Sequence, residues 1–317
     1  ICFFVLLAKK ICVLYHTLIT RKAVMIMALQ FVIGATGTGK THHCMKEILA
    51  TQKTQTGRQI LLVPEQFTSQ SERDLTAMTE KKGILTAEVL SFGRLAHQIF
   101  SRYGMDKTVT LGDVGKQMAL QKILLEQKDN IIYFHHIMDK NGFVEQLSFT
   151  ITEFFQYRIT PDILTVLSQQ ENLSQAVKQK CEDMHLIYTK YLDFLSQEYV
   201  SGDETLTLLE QKLQKIAPFG DTEIWLDGFY DFTPQEYSVI LHLLRLCKRV
   251  VLTLPMDKAS YFASHLPMSA TFFEPYTTLK KLQKLAEENG IPTMPPVFLE
   301  QNHRTQTPAL RFLEQNY

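Results

Sequence analysis

The chain has 317 residues, 45% of them hydrophobic and 21% charged, which are the proportions of a soluble globular protein with length for one large domain or two smaller ones. Lysine plus arginine and aspartate plus glutamate each total 33, so no global positive field draws in polyanions. That excludes a free-standing, nonspecific DNA coat protein and leaves any nucleic-acid contact to local basic and aromatic groups or to a partner.

Residues 1–26 read as foreign to the rest of the chain. The chain begins with Ile1, and its apolar run is broken by Lys9 and Lys10, too short to span a membrane. Neither the basic start nor the small-residue cleavage site of a signal peptide is clear. The reading is an over-extended frame with its native start at Met25 or Met27, an amphipathic leader being the alternative.

From Leu29 the pattern becomes regular. "LQFVIG" predicts a buried strand that enters the glycine-rich stretch "GATGTGKT", Gly34 to Thr41, and "KTHHCMKEILATQ" predicts the helix that leaves it. "RQILLVP" is a second apolar strand closed by Pro64, "TSQSERDLTAM" a helix, "AEVLSF" a third strand and "FGRLAHQIFSRYG" a helix ending at Gly104. Strand–helix alternation of this kind predicts a parallel sheet covered on both faces. Between about Gly112 and Gly220 only helical periods occur. The clearest stripe is Val177, Cys181, Met184, Tyr188, Tyr191 and Leu195, with steps of four and three, which reads as the seam of a helical bundle. Strand signals resume at "TEIWLDGF" and "RVVLTLP". The expected division is therefore 1–26, a doubtful extension; 27–111, first half of a phosphate-loop domain; 112–220, a helical insertion of roughly domain size; 221–300, the second half; and 301–317, the cut start of a further region.

The strongest chemical signal is G-x-x-x-x-G-K-[ST] over Gly34, Ala35, Thr36, Gly37, Thr38, Gly39, Lys40 and Thr41. Glycines let backbone N–H groups approach phosphates at a helix N-terminus, Lys40 reaches the β- and γ-phosphates, and the Thr41 hydroxyl serves Mg²⁺. The strand before it and the helix after it supply the context a nucleotide site requires; a merely structural glycine turn is the alternative. Hydrolysis needs more, namely an acid that holds Mg²⁺ and a group that orients water. Asp227 in "IWLDGFYDF" follows an apolar strand as the metal-side acid should, with a cap role as its alternative. Working motors carry Glu at the next position, and here it is Gly228, while Asp231 lies four residues on. The expectation is that Mg·ATP binds and turns over slowly or not at all, with no residue assigned a catalytic role. The five cysteines lack the spacing of a metal clip, and the pairs His42–His43 and His135–His136 read as ordinary polar or core residues in a reducing cytoplasm.

Four stretches, "GATGTGKT", "LLVPEQFTSQSE", "VLSFGRLA" and "LDGFYDFTPQE", together resemble the N-terminal region of the AddB (RexB) family, B subunits of bacterial AddAB helicase–nucleases. The resemblance runs from about Met27 to the end. It implies a RecA-like, superfamily 1 helicase-type α/β fold with a helical insertion, used as a degenerate motor. It further implies a heterodimer with an AddA-like subunit, contact with single- and double-stranded DNA, reading of the Chi signal, and a role in double-strand break repair by homologous recombination in the cytoplasm, without a membrane. Carried onto this chain, the family's DNA-reading residues fall on Gln66, Thr68, Phe92, Arg94 and Phe229. His97 stands where relatives can carry Trp. Aromatic faces stack on bases, and Arg forks onto base edges or phosphates; for Phe92 and Phe229 the competing role is plain core packing. The family's nuclease domain and iron–sulfur cluster belong to a far C-terminal part outside this sequence. "LEQNHRT" resembles a helicase motif that turns an arginine, here Arg304, toward the triphosphate, and "MDKASYF" lacks the γ-phosphate-sensing Gln of active helicases. An active superfamily 1 ATPase and a small-molecule kinase are the competing functions.

Overall fold

The computed structural model describes residues 27–54, 57–79, 87–104, 109–140, 142–197, 199–304, 307–310 and 312; the readings placed on residues 1–26 and on the last residues of the chain lie outside them. In chain order the elements are β1 (Ala28–Ile33), α1 (Lys40–Thr54), β2 (Gln59–Leu62), α2 (Thr68–Ala77), β3 (Ala87–Leu90) and α3 (Phe92–Tyr103). A second run comprises β4 (Val109–Leu111), α4 (Asp113–Glu126), α5 (Phe143–Gln156), α6 (Pro161–Ser168), α7 (Gln175–Ser196) and β5 (Tyr199–Ser201). The third is α8 (Thr205–Leu213), β6 (Glu223–Leu226), α9 (Pro234–Leu246), β7 (Arg249–Leu254), α10 (Lys258–Phe262), α11 (Phe273–Glu288) and β8 (Val297–Phe298).

Six strands form one all-parallel sheet in the order β3-β2-β6-β7-β1-β8. The fold is thus α/β, consistent with the RecA-like arrangement expected. Parallel strands buried on both faces must be apolar nearly throughout, and these are. Leu29, Phe31, Ile33, Ile60, Leu62, Ile224, Leu226, Val250 and Leu252 face a core capped by α3, α8, α9 and α11. The alternate residues Val32, Leu61, Trp225 and Val251 meet α1 and α2 through Cys44, Met45, Ile48 and Leu75.

Local signals set the helix ends. Ser91 caps α3 by accepting from the Arg94 N–H, and α3 stops at Gly104, where φ is +77°. Thr233 and Glu236 form a reciprocal capping box at the start of α9, with Pro234 in the first turn. Between β3 and β6 the helices α4 to α7 gather around a separate core that includes Leu120, Ile151, Ile187 and Tyr191. Of the predicted stripe, Met184, Tyr188, Tyr191 and Leu195 are buried, while Val177 and Cys181 near the helix start are not. This stretch is not purely helical: β5 pairs in parallel with β4. Three-residue strands are too short to leave an alternation that sequence reading detects. Among the described residues, no helix is long and apolar enough to cross a membrane.

Candidate functional site

All six parallel strands end on one edge of the sheet, where open α/β sheets bind ligands. Here β1 runs into the glycine loop, Gly34 to Gly39, and α1 begins at Lys40. Gly37 has φ of +91°, and Asn302 Oδ1 lies 2.9 Å from where its Cβ would stand, so only glycine serves there. Thr38 Oγ1 donates to Ala35 O at 2.9 Å and tightens the turn. Lys40 folds back over the loop, its Nζ donating to Gly34 O at 2.7 Å and Ala35 O at 2.9 Å. Burial pulls its amine below the ordinary lysine value; nearby Asp227 opposes that pull and Arg304 adds to it.

The sequence-predicted metal pair comes together. Thr41 Oγ1 donates to Asp227 Oδ2 at 2.6 Å. Sequence reasoning missed a third member: Thr253 Oγ1 donates to Asp227 Oδ1 at 2.6 Å. The available signal was a hydroxyl in the otherwise apolar run "VVLTL", on the strand beside β6. Asp227 is only 5% exposed, and its N–H continues the sheet ladder to Leu62 O at 3.0 Å. Its carboxylate is therefore fixed by strand geometry and by one hydroxyl on each oxygen. Behind the loop, burial pushes the Cys44 thiol well above its usual value and keeps it inert.

The neighbours of Asp227 offer no second carboxylate. Gly228 has φ of +83°, and a Cβ there would sit 3.4 Å from Pro64 Cδ. An L-residue at that φ is strained, so the backbone path itself disfavours a glutamate. Asp231 is committed elsewhere: its Oδ1 accepts from the Tyr237 hydroxyl at 2.7 Å and the Thr278 hydroxyl at 3.0 Å, with Lys281 at 3.5 Å. Partial burial works against its ionisation, yet these donors hold it below the ordinary carboxylate value.

A cleft of about 810 Å³ opens over this edge. Lys40 and Thr41 form one wall, Gln70 and Asp74 of α2 another, and Arg304 lies at its rim. The segment after β8 straps across the loop, with the His303 N–H donating to Gly37 O at 2.9 Å.

The residues carried over as DNA contacts gather where the turn after Pro64, the start of α3 and the segment after Asp227 meet, but in different states. Gln66 and His97 are exposed. Thr68 is buried, and its hydroxyl closes the preceding 3₁₀ turn onto Glu65 O at 2.9 Å. Phe92, 6% exposed, packs edge-on against Phe229 with ring centroids 5.7 Å apart and against Phe232 at 6.4 Å. Phe229 is half-buried in the same stack. Arg94 is bracketed by two acids, its Nη1 3.1 Å from Glu72 Oε1 and its Nε 3.5 Å from Glu65 Oε1. Glu65 also accepts from the Ser91 hydroxyl, tying the turn to the α3 cap. The exposed rings along this side of the cleft are Phe67, at 48%, and Tyr230, at 58%. Both belong to the stretches "LLVPEQFTSQSE" and "LDGFYDFTPQE", yet an apolar residue carries no mark in sequence of which side of a turn it faces.

A family model described as "ADDB, N-terminal" matches residues 31–314, from the first strand to beyond the strap. The chain is 38% identical over 294 residues to the B subunit of the ATP-dependent helicase/deoxyribonuclease of Acetivibrio thermocellus, an alignment covering 91% of this chain and 25% of that protein. It is 36% identical over 300 residues to the like-named protein of Caldanaerobacter subterraneus, covering 92% and 25%. With that of Lachnoclostridium phytofermentans it shares 35% over 274 residues, covering 86% and 24%. The chain thus spans about a quarter of the length of the curated relatives it matches.

Proposed function

The chain belongs to the AddB N-terminal family, and from that premise we propose that it grips Mg·ATP and reads single-stranded DNA within a helicase–nuclease B subunit, as a degenerate rather than a working motor. It acts in the cytoplasm beside an AddA-like subunit that pulls the duplex, in double-strand break repair by homologous recombination, and the sequence it reads is Chi. The resemblance assigns the family's nuclease and iron–sulfur cluster to a region other than these residues, which on this reading take no part in cutting DNA.

The residues at the sheet edge fit a magnesium–triphosphate. Thr41 and Asp227 present a hydroxyl and a carboxylate 2.6 Å apart, a donor set suited to a hard cation that keeps most of its waters. Lys40 supplies the charge for the terminal phosphates, and the loop supplies backbone N–H groups. Bound there, a triphosphate would supply a phosphoanhydride that water could cleave. What this chain adds to that step is small. Lys40 would neutralise charge, and Thr41 with Asp227 would hold the metal. No carboxylate stands directly after Asp227 to polarise water, and Asp231 Oδ1 already accepts from Tyr237 and Thr278.

One observation carries this reading: Thr41 and Thr253 both grip Asp227 beside a glycine whose φ is +83°. On this reading Asp227 is the metal-side acid, and Gly228 stands where its catalytic neighbour would be. Arg304 at the cleft rim is the feature that favours the active-ATPase alternative. Calorimetry of Mg·ATP binding, run beside phosphate release with and without single-stranded DNA, separates the two. Binding without DNA-stimulated release supports the degenerate motor. Rapid DNA-dependent release abolished by Lys40→Ala overturns it.

On the DNA side, Arg94 would exchange Glu65 and Glu72 for a base edge or phosphate, with Gln66, Thr68, His97 and Phe229 beside it and Phe92 supporting Phe229 from below. Arg94→Ala is expected to weaken binding of one sequence selected from a random single-stranded pool. An equal loss for scrambled DNA removes the sequence-reading role.

A further inference from the structure

Lysine is almost never fully buried unless paired, and Lys116 on α4 is 4% exposed. Its ammonium makes two hydrogen bonds and one ion pair. Nζ donates to Ser148 O at 2.8 Å and to Thr152 Oγ1 at 2.7 Å on α5, and it lies 2.5 Å from Asp203 Oδ2 in a contact that is ionic rather than a directed hydrogen bond. Thr152 in turn donates to Asp203 Oδ1 at 2.8 Å. Asp203 sits in the 3₁₀ turn Gly202–Glu204, between the helical block and α8. Its carbonyl accepts from Gln235 Nε2 at 3.4 Å, and the same amide donates to Thr207 Oγ1 at 2.8 Å. Gln235 is 2% exposed and stands in the first turn of α9, directly after the segment that carries Asp227 and Phe229.

The position of this network gives it meaning. The apolar core of the sheet and that of the helical block are separate clusters, although α5 packs on α9 across the seam. Apolar contact is non-directional and tolerates sliding. A buried ammonium held by two hydrogen bonds and an ion pair is confined in geometry, and leaving either charge without its partner is costly. A second polar bridge lies further out, where Arg158 and His242 both meet Glu210. We propose that the buried Lys116–Asp203 pair is the orientation lock of the molecule: it fastens α4 and α5 to the start of α9, so that the two cores open as one cooperative unit and the block stands at a fixed angle to the Asp227–Phe232 segment. This goes beyond the nucleotide and DNA reading and does not require it.

The test is native-state hydrogen exchange by mass spectrometry on the full 317-residue chain, with no ligand added. In the wild type, the slowest amides of 113–156 and of 234–246 are expected to share one opening. The double variant Lys116→Met with Asp203→Asn removes both charges while keeping the side-chain shapes. It is expected to hold its thermal midpoint within a few degrees, while 113–156 comes to exchange at least tenfold faster than 234–246. Asp203→Asn alone leaves an unpaired ammonium and is expected to lower the midpoint more than the double variant does; Arg158→Ala at the second bridge is expected to change the exchange less than threefold. Independent opening of the two regions in the wild type overturns the lock, whether or not the variants fold. Common opening retained in the double variant, or a single variant more stable than the double, overturns it as well.

Discussion

Two corners of the same sheet edge handle their polar and aromatic groups in opposite ways. At the glycine loop, Lys40 and Thr41 rest on polar groups that a ligand can take over from. Lys40 sits on two loop carbonyls, and Thr41 sits on Asp227. At the corner of Phe92, Arg94 and Phe229, the aromatic rings are parts of the fold and Arg94 is held by two half-exposed ion pairs. The Phe92 ring is sealed in an aromatic stack with Phe229 and Phe232, and Arg94 joins α3 to α2 and to the turn after Pro64. The difference teaches which substitutions report on binding and which report on stability. Loss of DNA binding after a change at the second corner is informative only when folding is measured beside it.

The largest effect expected from that contrast is on stability. Phe92→Ala should cost about 3–5 kcal/mol in urea unfolding, as for other buried aromatics. A cost below about 1 kcal/mol would mean that the ring is a free ligand-stacking group and would erase the contrast. Next comes Lys40→Ala, which should lower Mg·ATP affinity by about 1.5–3 kcal/mol, the worth of a charge-assisted hydrogen bond, while leaving the urea midpoint nearly unchanged. Calorimetry and unfolding of the same preparation read both. Gly228→Ala tests the backbone between the corners: φ of +83° should make alanine about 1–2 kcal/mol less stable. Arg94→Ala should change stability by no more than about 1 kcal/mol, because its ion pairs are half exposed; a larger loss in unfolding would make it a structural strut.

The smallest effect is a pH dependence at the loop. Burial holds the Lys40 amine below 10.5, so it loses its proton before exposed lysines do. A triphosphate prefers the charged amine, so Mg·ATP affinity should fall as pH rises through that lowered value, and Lys40→Arg should flatten the profile. For the free protein the sign reverses. The unfolded chain holds this proton more tightly, so Lys40 alone makes unfolding free energy rise with pH between its folded value and 10.5. Affinity titrations from pH 7 to 10 on both proteins check the first statement.

Much of the sheet was legible because parallel strands buried on two faces are short continuous apolar runs. "FVI", "ILL", "EVL", "EIWL" and "RVVLTL" all became strands, and the glycine loop fell between β1 and α1 as its spacing predicts. The two-residue β8 and the β4–β5 pair were not legible, since pieces that short carry no period. At the site, Lys40, Thr41 and Asp227 could be named from motif spacing and chain order. Thr253 could not, because its role depends on β7 lying beside β6. Nor could the pairing of Arg94 with Glu65 and Glu72, which come from a turn and a helix earlier in the chain.

The sequence by itself determined the α/β class, the glycine-rich loop between β1 and α1 and the glycine that follows Asp227, because each is written in local spacing and residue type. Only the tertiary structure decided that Phe92 is core, that Arg94 is neutralised and that Lys116 is buried on Asp203. Burial and charge pairing depend on which distant segments the fold brings within a few ångströms, and no local pattern encodes that.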